Sequence, residues 1–491
     1  MRSNEHAKKR AGLAAAANRS VSLIACVSLA FGYAAVTEAA RAETLNQALA
    51  AAYKFNPEID AQRATLRATD EGVAIANSGF RPDISASVDV AVENTNTVPD
   101  TASEGRTRPR GYALTLNQTL FQGFQIVNSV NEAEANVRAG QQTLRTVEQR
   151  VLLAAATAYV DVVRDLALLR LREANLTFLS RELRATQDRF SVGEVTRTDV
   201  AQARAARAQA ASDIDLARAN LRASQARYRQ NIGRAPVNLR EPPIPSRVLP
   251  KSLRSAIGIS RQQNPGVVQA LYEEQAARFV VARITGQLAP TVSLEAQYAK
   301  RRDPSPGLDL SETGSITARM QIPLYQGGET YARIRQAKHQ HVSRIQSIET
   351  ARLEARASTV SAWSLYRASQ AQLASARVQV DANQIALQGV QEEERVGQRT
   401  LLDVLEARQA LLDAQVALTT TRRDIIVNAY TLLQAVGRLD GIQYRVASKL
   451  YDPDVHYHEV RRKWFGLSIT HRDGRRERYK AHEPRGHRSY K

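Results

Sequence analysis

Apolar residues recur along two long stretches of the chain at alternating spacings of three and four. Val130, Ala133, Val137, Gly140, Leu144, Val147, Val151, Ala154 and Ala158 follow this rule. Such a seven-residue repeat predicts a helix packed in a left-handed coiled coil. No proline falls between Arg110 and Ala235, or between Leu324 and Asp452, which suits long helices because proline costs about 3 kcal/mol in a helix interior. The pattern predicts helices over about 45–77, 126–190 and 198–232, and again over about 253–285, 330–395 and 400–436. The helix over about 126–190 would be about 95 Å long at 1.5 Å per residue.

Between the first short helix and the long one the period changes to two. Ile84, Ala86, Val88, Val90 and Val92 alternate with Ser85, Ser87, Asp89, Ala91 and Glu93, and Tyr112, Leu114 and Leu116 with Ala113, Thr115 and Asn117. Val292, Leu294, Ala296 and Tyr298, then Ile316, Ala318, Met320, Ile322 and Leu324, repeat the alternation downstream. This reads as two strand pairs, about 82–120 and about 290–325, either half-buried in a sandwich or facing lipid in a barrel. Four strands cannot close a barrel, since bacterial barrels begin at eight. The chain must pool strands with identical copies or pair its hairpins elsewhere.

The elements are duplicated, and so are short signatures. VGEVTRTDVAQAR begins at Val192 and VGQRTLLDVLEAR at Val396. Asn56-Pro57 is echoed by Asn264-Pro265, Phe121-Gln122-Gly123 by Tyr325-Gln326-Gly327, and Ile232-Gly233-Arg234 by Val436-Gly437-Arg438. The chain therefore divides into a first repeat at 43–240, a Pro-rich linker at 241–250, a second repeat at 251–440 and a basic tail at 441–491.

Residues 1–42 read as a secretory signal: Lys8, Lys9, Arg10 and Arg19, then an apolar run from Val21 to Val36, then Ala40-Arg41-Ala42 as a cleavage site. The apolar run is short of the roughly 20 residues that span a bilayer. Cys26, the single cysteine, falls inside this segment, so the processed chain would hold no disulfide. The formal charge of +19 is carried in large part by the two ends, and elsewhere Arg alternates with acids along helices. That distribution argues for solvated faces and against nucleic acid as a partner.

No enzyme is legible. The sequence has no phosphate-binding Gly-rich loop, and outside its two ends His339 and His341 are two apart on a helix, so they do not face each other. No metal or cofactor is implied. The tail, with His456 and His458, reads as flexible and polar, suited to acidic partners or anionic lipid headgroups.

The duplicated plan, the two Gln-Gly turns and the paired VGE and VGQ segments together resemble the TolC family of outer-membrane factors, over about residues 43–440. The resemblance implies a mainly α TolC-like fold with a β-barrel part. Three chains would supply a twelve-stranded barrel and a long periplasmic coiled-coil tunnel. It implies a non-enzymatic homotrimer in the outer membrane that exports proteins or small toxic compounds. The partners would be a periplasmic adaptor, an inner-membrane pump of the ABC or RND type, and outer-membrane lipid.

By the same resemblance, Val192, Gly193 and Glu194 with Val396, Gly397 and Gln398 form the helix tips where an adaptor docks, at the end that opens like an iris. Asp403 and Glu406 match the acidic pair lining the narrowest point, although from the residues alone they could be a solvated face. Arg399 matches a latch arginine whose acceptors match Thr198 and Asp199. A tyrosine expected before the second turn is Glu394 here. The alternative class is a periplasmic or surface coiled-coil structural protein or adhesin, which would have no need of duplicated period-two faces.

Overall fold

The computed structural model describes residues 43–96, 105–441, 451–470 and 476–477; the signal-like segment 1–42, with Cys26, lies outside the described residues. Two compact units divide the chain. One gathers residues 50–154, 244–385 and 420–491 and carries every strand among the described residues. The other gathers 1–49, 155–243 and 386–419 and carries both helix-to-helix turns.

Helices α1 (Leu45–Phe55) and α2 (Pro57–Ser78) stand where the pattern predicts one helix, and α5 (Leu253–Gln263) and α6 (Pro265–Thr285) likewise. The Asn-Pro pairs divide them. A residue before proline is driven out of the helical region, and Asn56 and Asn264 are extended, with ψ of 122° at both. Each asparagine side chain then caps the helix that follows, accepting from Glu58 N at 2.8 Å and from Gly266 N at 2.9 Å.

The long helices α3 (Gln125–Ser191) and α7 (Glu329–Arg395) run 67 residues each, followed by α4 (Arg197–Ile232) and α8 (Leu401–Ala435). On α3 the seven-residue pattern buries Val130, Val137, Leu144, Val147, Val151 and Ala158. Small residues allow close helix approach: a Cβ on Gly140 would stand 3.1 Å from Leu66 of α2.

Strands β1 (Asp83–Val90), β4 (Arg110–Gln122), β5 (Thr291–Ser305) and β6 (Leu308–Gln321) form one antiparallel sheet in the order β1-β4-β5-β6. A small hairpin, β2 (Glu93–Thr95) with β3 (Gly105–Thr107), extends the first strand pair. The register aligns like with like. Ile84, Leu116, Ala296 and Ile316 lie in one row, and Ala86, Leu114, Tyr298 and Gly314 in another. The alternate rows hold Ser85, Thr115, Gln297 and Ser315, then Asp83, Asn117, Glu295 and Thr317. One face of the sheet is thus apolar and exposed, the other polar, and the join between β4 and β5 fuses the two repeats. At the hairpin end the apolar face closes on polar groups, with Glu312 accepting from the Tyr298 hydroxyl at 2.5 Å and the Lys300 ammonium at 3.1 Å.

The turn from β4 into α3 has a steric requirement. Gly123 has φ of 52°, and a Cβ there would come within 2.1 Å of the Gly286 carbonyl oxygen, so only glycine fits.

The segment read from sequence as a flexible tail contains helix α9 (Pro453–Arg461), capped by Asp452 and docked on α2 and α3. His456 Nδ1 lies 2.8 Å from the buried Asp70 carboxylate. Glu134 accepts from Tyr457 at 3.0 Å and pairs with Arg461 at 3.0 Å. Val460 is buried beneath the helix. These partners are far away in sequence, which is why composition alone reads this segment as loose.

The sheet's register generates a test. Ile316→Arg puts a charge in the middle of the apolar face, where lipid exposure would cost about 2–4 kcal/mol; Thr317→Arg puts it on the polar face beside Glu295. The first variant should lose folded protein from the membrane fraction, and the second should retain it.

Candidate functional site

The repeated segments are helix stops followed by helix starts. Gly193 and Gly397 take φ of 80° and 78°, the left-handed conformation that ends a helix cheaply at glycine. Glu194 N donates to Arg189 O at 3.0 Å and Gly193 N to Phe190 O at 3.1 Å. Gln398 N to Glu393 O and Gly397 N to Glu394 O, both at 2.9 Å, repeat this pairing in the second copy. Both sets form the two-bond Schellman arrangement, which satisfies carbonyls the helix end would otherwise strand.

Three residues on, each chain direction is reset by a capping box. Asp199 accepts from the Thr196 backbone N–H at 2.8 Å and hydroxyl at 2.7 Å, while Thr196 accepts from Asp199 N at 3.3 Å. Asp403 and Thr400 duplicate this at 2.9, 2.8 and 3.3 Å. The Thr400 backbone N–H, and then its hydroxyl, hold the Asp403 carboxyl below the usual carboxylate range. The Thr196 bonds do the same for Asp199. Both aspartates are therefore ionised at neutral pH and occupied in helix starts.

Glu406 has no such duty. It lies exposed on α8 one turn beyond Asp403, while Leu401 and Val404 turn inward. Asp403 and Glu406 thus share the outer face of α8, as their spacing predicts. Val192 and Val396 are each 70% exposed, and no atom lies within 4 Å of a Cβ built on Gly193 or Gly397. The two tips therefore present matching bare apolar points.

Arg399 is engaged within its own repeat. Its Nε donates to Glu393 at 3.0 Å, and its Nη1 is 3.9 Å from Asp403. Thr198 is exposed and Asp199 is committed to its cap, so the chain does not bring Arg399 to Thr198 and Asp199.

What joins the two repeats at the tips is a pair that the sequence reading did not anticipate. Arg189 of α3 bonds Glu394 of α7 at 2.6 Å and approaches Glu182 at 3.5 Å. The Glu394 bond raises the Arg189 pKa further, and burial pushes the Glu182 carboxyl up. Glu394 stood out as a departure from the resemblance; Arg189, three residues before the first tip, gave no separate signal. Farther along, Arg408 of α8 donates to Asn175 at 2.9 Å and stacks 4.6 Å over the Phe178 ring. His341 is tied to Glu274 at 2.6 Å.

A model of the outer membrane efflux protein family matches residues 48–234 and 256–438. The chain is 39% identical over 461 residues to the outer membrane efflux protein BepC of Brucella suis, covering 92% of this chain and 98% of that protein. It is 25% identical over 418 residues to the outer membrane protein TolC of Escherichia coli, covering 82% and 83%. The crystal structure of the Campylobacter jejuni CmeC outer membrane channel shares the fold, with a TM-score of 0.73 at 17% identity over 85% of this chain and 89% of that one. The duplicated match and the near full-length identity make this chain a member of the outer membrane efflux protein family, a non-enzymatic export channel of the outer membrane with its helices in the periplasm.

Proposed function

We propose that three copies of the chain close one barrel and one periplasmic duct. A periplasmic adaptor docks on the helix tips, and an inner-membrane ABC or RND-type pump drives proteins or small toxic compounds through. The observation that carries this reading is the four-stranded sheet, apolar on one face and, among the described residues, unpaired along the outer edges of β1 and β6. In hydrocarbon an unpaired backbone group costs several kcal/mol, so only a closed sheet is stable there. Three sheets of four strands give twelve, within the range of known barrels. Purified in detergent, the protein should run as a trimer; a monomer soluble without detergent would overturn the reading.

The tips supply the gate. Val192 and Val396 offer apolar points for adaptor hairpins, with Gly193, Glu194, Gly397 and Gln398 forming the turns beneath. Arg399, held on Glu393 within its own repeat, is the latch arginine of this reading, and Thr198 and Asp199 of the first repeat are its matching acceptors in the closed duct. Asp403 and Glu406 from three copies ring the narrowest point, favouring cations as acidic rings do. Glu406→Gln leaves the cap intact and should lower the cation preference of conductance in planar bilayers. An unchanged preference would move the constriction elsewhere.

Within each copy, the Arg189–Glu394 pair stands where the resemblance expects a tyrosine contact, and it ties the second hairpin to the first. Arg189→Ala and Glu394→Ala should each raise resting conductance. A double-mutant cycle on the closed-to-open equilibrium should give a coupling of about 1 kcal/mol, the upper range for partly exposed pairs.

A further inference from the structure

Beyond α9 the chain makes a short turn whose apolar side chains face outward. Asn77 Nδ2 reaches the Arg461 carbonyl at 3.5 Å, and Arg81 Nη1 donates to the Lys463 carbonyl at 2.8 Å. The Arg81 guanidinium also lies 4.6 Å over the Trp464 ring. Lys463 Nζ donates to the Ser468 carbonyl at 3.1 Å, closing the turn around Gly466. The turn is thus held from both ends. Even so, Trp464 and Ile469 are exposed, and Phe465 and Leu467 are 88% and 77% exposed.

Its position gives this patch a partner. Arg81 is two residues before β1, and Phe80 beside it is also exposed. The apolar face of the sheet starts at Ile84. The patch therefore lies beside the start of β1, where helix gives way to strand. Its own cations are Arg462 and Lys463, joined by Arg81, while Arg461 is paired with Glu134. Aromatic residues backed by Arg and Lys are the side chains that favour the boundary between hydrocarbon and headgroups. A watery surface leaves four large apolar side chains unsatisfied, whereas a phospholipid leaflet takes both the rings and the charges.

We propose that Trp464, Phe465, Leu467 and Ile469 insert into the periplasmic leaflet of the outer membrane, with Arg462 and Lys463 meeting phospholipid phosphates. The tail then acts as an interfacial anchor that sets the depth of the first strand. Helix α9 transmits that depth to α2 and α3 through Asp70 and Glu134. The proposal rests on the barrel reading, and the test separates the two.

The full-length protein carrying Trp363→Phe keeps Trp464 as its sole tryptophan. It is reconstituted in phosphatidylethanolamine and phosphatidylglycerol vesicles and recovered by flotation. Trp464 emission should be blue-shifted, strongly quenched by lipid brominated near the headgroup and little affected by aqueous iodide. Quenching by iodide instead would overturn the anchor, and so would protection from both quenchers, which would mean that a neighbouring copy covers the patch. Protein that fails to float with the vesicles would overturn the barrel reading together with the anchor. Should Trp363→Phe disturb folding, a Cys26→Ser, Leu467→Cys variant with a polarity-sensitive label at the exposed Leu467 position gives the same readout with both tryptophans in place. There too a lipid-insensitive label would overturn the proposal.

Discussion

A backbone amide or carbonyl exposed to hydrocarbon has nothing to bond, and the rest of this structure depends on that constraint. β4 and β5 are paired on both sides, whereas among the described residues β1 and β6 each have an open edge. One chain therefore cannot finish its own membrane part. The helices carry the same incompleteness: α7 leaves Leu353, Leu365, Val378 and Ile385 exposed while burying Ala355, Ala362 and Ala376. Edges and helix faces call for further copies on independent grounds, one from hydrogen bonding and one from apolar area.

At the tips, the charged side chains are first of all parts of the helix ends. A Schellman stop and a capping box, the N-cap contributing about 1 kcal/mol, turn the chain within a few residues and leave little room for other groups. Asp403 belongs to the cap and to the acidic face of α8 at once, whereas Glu406 lies exposed on that face one turn beyond the cap. The ion pairs around the turns are layered accordingly. Arg399 serves its own repeat through Glu393, and Arg189 serves the other repeat through Glu394.

The sequence was most legible where structure is periodic. The spacing of Val130 to Ala158 located a long helix, and the alternation from Ile84 to Val92 located a strand, because both periods are local properties of the chain. The Asn-Pro pairs are visible as a repeat, and the proline rule implies that each divides two helices, but that the asparagine side chain caps the second helix is seen only in the structure. Two features could not be read. Arg189 meets Glu394 across about two hundred positions, and α9 is fixed by Asp70 and Glu134 from the other end of the chain. Contacts of that range depend on how helices pack, which no window of sequence contains.

The cap geometry also bears on how the two repeats came to differ. Thr196 and Asp199 match Thr400 and Asp403, and each pair closes the same capping box. Neighbouring positions differ: Arg189 corresponds to Glu393, Phe190 to Glu394, Val195 to Arg399 and Gln202 to Glu406. An array of identical hairpins would set Arg189 against another Phe190 and could not hold the Arg189–Glu394 pair. The pair therefore needs two unlike copies in one chain, and a single hairpin repeated without change would have tips of one chemical kind only.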